Sequence, residues 1–143
     1  MGGSRSDDAI RYIENMRDKH KLNIKMTGYV EDIGTFMRLA DLLIIPHKEL
    51  SSHSLAITEA MPYGVPIVAS NVGGLRCQIK NGVTGMLFEV DSSEDLAKVV
   101  LDLLNNDAKR EEIGKNARMH SENELSWKSV CNKIMYEYEE ICR

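Results

Sequence analysis

The spacing of apolar positions changes several times along this chain, and each change predicts an element. In "SDDAIRYIENMRDKHK", Ile10, Ile13 and Met16 or Arg17 fall at helical spacing, with Ser6 placed as a cap and acids in the first turn. "LNIKMTGYV" alternates apolar and polar residues up to Gly28, which predicts a strand ending in a turn. "EDIGTFMRLA" predicts a short helix with Ile33, Phe36, Met37 and Ala40 on one face. Three continuous apolar runs follow, "DLLIIP", "PIVAS" and "GMLFEV", each reading as a strand buried on both faces. Between the first two lies a helix over Leu55–Met61. Pro62 disfavours helical geometry just before it, and Gly64 supplies a left-handed turn. The C-terminal third is helical: "SSEDLAKVVLDLLNN" opens on a serine cap, and "DAKREEIGKNARMHSEN" and "SWKSVCNKIMYEYEEICR" continue the period.

Short apolar strands alternating with helices imply an α/β fold, a mostly parallel sheet with helices on both faces. Ligands of such sheets bind outside the carboxyl ends of the strands. The loops at 28–30, 46–54 and 70–74 are therefore expected to share one edge of the sheet. The alternation shows no internal repeat.

Composition narrows the classes. With 143 residues, 43% hydrophobic and 28% charged, the chain is long enough for one domain with its own core and too short for two. A net charge of −4 without a basic stripe argues against nucleic acid as a partner. Cys77, Cys131 and Cys142 are odd in number and lack metal-ligand spacing, which predicts reduced thiols and a cytoplasmic setting. No apolar run approaches membrane-spanning length. Residues 1–4, "MGGS", read as a scar or linker, and 5–143 as the domain.

One stretch carries chemistry: "SSHSLAITEAMPYGVPIVASNVGG", Ser51 to Gly74. Ser51, Ser52 and Ser54 precede a helix start, where one of them is expected to cap. Three serines around His53 exceed that need. A helix start at a ligand-facing edge suits a phosphate. Glu59 falls one turn beyond Leu55, and helical side chains lean toward the N-terminus, so its carboxylate points back to the same mouth. There it can accept hydrogen bonds from a diol such as a ribose, and a structural pair or cap explains it as well. Gly73 and Gly74 let the backbone turn or approach a ligand. His20, His47 and His120 read as surface or satisfied histidines, since no neighbour makes a dyad.

The order of these features resembles the C-terminal domain of glycosyltransferase family 4, the group 1 retaining glycosyltransferases of GT-B architecture. "TGYVEDIGTFMRLADLLIIPHKEL", "TEAMPYGVPIVASNVGG" and "NGVTGMLFEVDSSEDLAKVVLDLL" carry it, from about Ile24 to the C-terminus. The resemblance implies a Rossmann-like domain that holds a nucleoside diphosphate sugar without a metal. Glu59 then matches the second acid of a glutamate, seven residues, glutamate motif, the one that takes ribose hydroxyls. Ser52, His53, Ser54 and Leu55, with Thr58, match the loop and helix start facing the sugar and diphosphate. Tyr29 and Val30 match the stretch whose backbone meets the nucleobase.

Two departures qualify those expectations. The first acid of the motif should stand at position 51, where the chain has Ser51; Glu49 lies two positions early. The usual Gly-Phe-Gly is Ser52, His53 and Ser54. Ser51 is therefore the candidate contact to the transferred sugar. A family domain also begins with a strand, a helix and a strand carrying an Arg and a Lys for the diphosphate, and an N-terminal domain binds the acceptor. Neither is present here. The expected reading is an N-terminally truncated donor-binding part, inactive alone, cytoplasmic or at a membrane surface within a longer enzyme. Rearrangement, self-association or a partner would then close its sheet. The alternative is a non-catalytic relic or subunit serving assembly or regulation, which Ser51 favours. A receiver domain also alternates strands and helices but needs an aspartate ending a strand, whereas Asp41 begins one. A nucleotide-sugar epimerase fits the "EAM" stretch less well.

Overall fold

The computed structural model describes residues 5–48 and 53–142. The chain divides into two compact units, Met1–Glu31 and Asp32–Arg143.

The first unit is built on α1, Arg5–His20, with Arg17, Lys19 and His20 in its last turn, where cations complement the helix dipole. The Leu22 N–H closes onto the Arg17 carbonyl at 2.9 Å. The strand expected over 22–30 is absent, although Gly28 does take the left-handed turn, φ 64°. Alternation states which residues would face a core, but a strand also needs a neighbouring ladder for its N–H and C=O groups. Among the described residues this segment has no such ladder, and Leu22, Ile24 and Met26 remain exposed.

In the second unit, α2 (Ile33–Leu39) leads into β1 (Leu43–Ile45), followed by α3 (Leu55–Ala60), a 3-10 turn over Met61–Tyr63 and β2 (Ile67–Ser70). Then come α4 (Leu75–Gln78), β3 (Met86–Phe88), α5 (Ser93–Leu104), α6 (Asp107–His120), a π turn over Ser121–Leu125 and α7 (Trp127–Ile141). Asp32 caps α2 through its carboxylate, which accepts from the Thr35 hydroxyl and from its backbone N–H. Those bonds, the hydroxyl's first, hold the carboxyl below the usual carboxylate range. Ser92 caps α5 by accepting from the Asp95 N–H at 3.1 Å, as expected of a serine there. Gly64 closes the 3-10 turn in the left-handed region, φ 70°, with its N–H on the Met61 carbonyl at 3.0 Å.

The three strands form one parallel sheet in the order β1-β2-β3, with Ile44 beside Val68 and Ala69 beside Leu87. Side chains alternate across it. One face presents Leu43, Ile45, Ile67, Ala69 and Leu87 to Ile57 and Met61, Leu75 and Ala117, so α3, α4 and α6 cover it. The other presents Leu42, Val68, Met86 and Phe88 to Leu96, Val99 and Leu103 of α5 and Ile113 of α6. Helices thus lie on both faces, and β2 is buried at all four residues. β1 departs from the expectation of burial on both faces: Ile45 is buried, but Ile44, which points to the α5 side, is 40% exposed. α5 packs mainly on β3 and β2, so this face of the edge strand β1 is less covered. α2 likewise buries Met37 while Ile33 and Phe36 stay exposed. No residue of α7 is buried, and an open groove of about 330 Å³ runs along its Ile134, Tyr138 and Ile141. Among the described residues, no helix is long and apolar enough to cross a membrane.

Candidate functional site

The carboxyl end of β1 delivers the chain through Pro46, His47 and Lys48 toward α3. Ser51 and Ser52 lie outside the described residues, so the description resumes at His53. Ser54 occupies the N-cap of α3 with extended backbone, φ −112° and ψ 114°, yet its side chain makes no capping bond. The serine cap expected there is therefore not formed by Ser54. A residue 24 positions away does the holding instead. Gln78, the last residue of α4, turns its side-chain amide onto the Ser54 backbone: the Ser54 N–H donates to Oε1 at 2.8 Å, and Nε2 donates to the Ser54 carbonyl at 3.1 Å.

That pair of bonds fixes which end of the amide is which, because a backbone N–H can only donate and a carbonyl can only accept. The remaining Gln78 N–H lies 3.1 Å from Nε2 of His53 and 3.5 Å from Oγ1 of Thr58. Oγ1 of Thr58 is itself 3.2 Å from the same His53 nitrogen. His53, Ser54 and Thr58 are thus brought together, as the sequence predicted of one site, and Gln78 joins them. His53, Thr58 and Gln78 border a cavity of about 240 Å³ whose wall also includes Met61, Cys77 and His120. Gly74 lines it too, at the start of α4, and Gly73 before it takes φ 50°, the left-handed turn that aims α4 at the site.

Glu59 and Leu55 share the opposite, exposed side of α3, one turn apart, while Ile57 and Ala60 face the core. No described residue hydrogen-bonds or pairs with Glu59. Its carboxylate stays open to solvent rather than committed to a cap or an ion pair. Tyr29 and Val30 belong to the first unit, where Tyr29 is 93% exposed. At the carboxyl ends of all three strands a second cavity, of about 220 Å³, opens between Pro46, Ser70 and Phe88. Lys48 pairs there with Asp91 at 2.7 Å, and that carboxylate holds the ammonium above the usual lysine range. Cys77, Cys131 and Cys142 are free and exposed. Among the described residues, no three His, Cys, Asp or Glu side chains gather where they could hold a metal ion.

Sequence reasoning missed Gln78 and His120. Neither sits in a recognisable motif, and each reaches the site only because α4 and α6 pack beside α3. The one usable signal was a polar residue, Gln78, between the core residues Leu75 and Ile79.

Comparison with known proteins agrees with this architecture. The family model described as glycosyl transferases group 1 matches residues 6–120. An uncharacterised glycosyltransferase of Methanocaldococcus jannaschii is 30% identical over 132 residues, covering 90% of this chain and 37% of that protein. A D-inositol 3-phosphate glycosyltransferase of Geodermatophilus obscurus is 34% identical over 111 residues, covering 77% of this chain and 23% of its own length. The chain thus spans little more than a third of these relatives, or less. Among solved structures, Anabaena HepE in complex with UDP superposes with a TM-score of 0.88 at 22% identity, over 96% of this chain and 38% of that one. A C-terminal domain of a group 1 glycosyltransferase from Francisella tularensis gives 0.74 at 19% identity, over 87% of this chain and 66% of that one. A parallel sheet covered on both faces, a helix carrying an open glutamate after its first strand, and a family model spanning most of the sequence lead to one assignment. The chain belongs to the group 1 glycosyltransferases.

Proposed function

We propose that the chain is the donor-binding part of a retaining glycosyltransferase, holding a nucleoside diphosphate sugar beside α3 at the carboxyl edge of the sheet. The observation that carries this reading is Glu59, an exposed acid with no partner among the described residues, on the helix that follows the first strand. A carboxylate so placed has both oxygens available for the two hydroxyls of a ribose. Support comes from Anabaena HepE, a protein of the same fold whose structures contain UDP and UDP-glucose. In this reading Ser51, Ser52, His53 and Leu55 line the path of the sugar and diphosphate, and Thr58 holds His53. Ser54 has a narrower part, because its amide is already bonded to Gln78; it sets the start of α3. Transfer would depend on donors preorganised around the departing diphosphate, in a cleft that this chain forms only with an acceptor-binding domain, so the isolated chain binds without transferring.

A second reading, a non-catalytic subunit, is favoured by Ser51 standing where the family has an acid. Titration calorimetry with UDP, GDP and ADP separates the two. The donor reading expects one of them to bind, and Glu59→Ala to weaken it at least tenfold, the loss of hydrogen bonds to a charged acceptor. No binding of any of the three, or binding indifferent to Glu59→Ala, overturns it.

A further inference from the structure

We propose that Gln78 is a positioning residue for this site: its amide sets the backbone at the start of α3 and selects the Nδ1–H tautomer of the His53 imidazole. The positioning role rests on the donor-site reading above, whereas the state of His53 stands on hydrogen-bond geometry alone. Gln78 is half-buried at the end of α4, and two of its bonds go to one backbone, the Ser54 N–H at 2.8 Å and the Ser54 carbonyl at 3.1 Å. With Oε1 committed to a donor, Nε2 is the amide's donor end, and its second hydrogen meets Nε2 of His53 at 3.1 Å. An N–H facing a ring nitrogen requires that nitrogen to carry a lone pair. In the neutral ring, that arrangement puts the hydrogen on Nδ1. The single Thr58 hydroxyl hydrogen is then directed to the same ring nitrogen at 3.2 Å and is not shared with the Ser54 carbonyl, 3.5 Å away.

Ser54 lies directly between the segment that includes Ser51 and Ser52 and the helix that carries Glu59. A two-pronged bond to its backbone fixes both the N–H and the carbonyl of one residue, and so the direction from which the chain enters α3. Displacing these groups by an ångström would change how the start of α3 and Glu59 address a ligand.

The test uses the full chain labelled with nitrogen-15, with Gln78→Leu and Gln78→Glu beside it. Leu keeps the bulk and removes all three bonds; Glu keeps an acceptor for the Ser54 N–H and removes the donor to the Ser54 carbonyl and to His53. Imidazole nitrogen spectra above the histidine titration range should show His53 as the Nδ1–H form in the wild type. In Gln78→Leu the ring should shift toward the Nε2–H form, and further so in Gln78→Glu, where a carboxylate oxygen can only accept from that nitrogen. A wild-type His53 in the Nε2–H form, or spectra unchanged in both variants, overturns the assignment even if one variant folds poorly. Calorimetry with UDP, GDP and ADP reads the role. Gln78→Leu should weaken the nucleotide that binds by roughly tenfold, the equivalent of about one hydrogen bond, with Gln78→Glu in between. Full affinity in a folded Gln78→Leu overturns the positioning role while leaving the donor-site reading intact. Absence of binding in the wild type removes that reading and the role with it, and the His53 spectrum still decides whether the amide acts as described.

Discussion

β1 and β2 look alike in sequence and differ in the fold. Both are short aliphatic runs bounded by proline, and both read as strands enclosed on two faces. β2 matches that reading, with every residue buried between α3 and α4 on one side and α5 on the other. β1 is one of the sheet's two edge strands, and on its α5 face Ile44 is left 40% exposed. A continuous apolar run records what a strand needs; it does not state that the chain at hand supplies it. The unmet part is visible in Ile44, and in α2, whose Ile33, Phe36 and Leu39 lie exposed beside one buried methionine.

Equal truncations of the two strands break the apparent equivalence most strongly. Ile67→Ala removes a side chain with no exposed surface from the middle of the sheet and should cost about 4 kcal/mol, the transfer loss plus a cavity. Ile44→Ala, at a site 40% exposed, should cost about 1 kcal/mol or less, because solvent already reaches the side chain. Urea unfolding of both variants measures the gap. Equal costs would mean that the outer strand is as well covered as the central one.

The next effect probes how β2 is introduced. The chain enters β2 from the 3-10 turn and Gly64, and that turn lies directly on α6. A methyl added to Gly114 would stand 2.2 Å from the Gly64 carbonyl oxygen, a backbone atom that cannot swing aside. Gly114→Ala should therefore push α6 away from the turn and destabilise by about 2–3 kcal/mol, the range for overpacking. A shift in urea midpoint without a change in slope would show that the fold survives the displacement.

How much of this was legible follows the same division. The three strands, the helix starting at Leu55, the left-handed Gly64 and the serine cap of α5 depend on neighbours close in sequence, and residue patterns carried them. The strand expected over 22–30 failed because alternation is necessary for a half-buried strand and a partner ladder is equally so. At the site, the order of Ser51, His53 and Glu59 along the chain was legible, and so was the face of α3 that holds Glu59. The missing cap at Ser54 was not. Serine before a helix predicts a local bond, whereas here a side chain 24 residues later holds the backbone. Contacts of that separation have no period to betray them.

The smallest effect concerns the helix that feeds β1, and it is a matter of pH. β2 carries no ionisable side chain, so acid should leave its own contacts unaltered. α2 is started by Asp32, whose carboxylate accepts from the Thr35 hydroxyl and N–H and whose pKa those bonds lower. A depressed carboxyl contributes its stability above the unfolded pKa, and the contribution is lost as pH falls through the folded value. Amide exchange in the first turn of α2, taken relative to the intrinsic rate at each pH, should therefore accelerate across that acid range in the wild type. In Asp32→Asn, which can still accept from Thr35 but does not titrate, the acceleration should disappear while the amides of β2 behave as before. If Asp32→Asn frays with the same pH dependence as the wild type, the cap is not what separates the two strands in acid. The weakness of the β1 side would then lie wholly in the apolar surface that α2 and Ile44 leave uncovered.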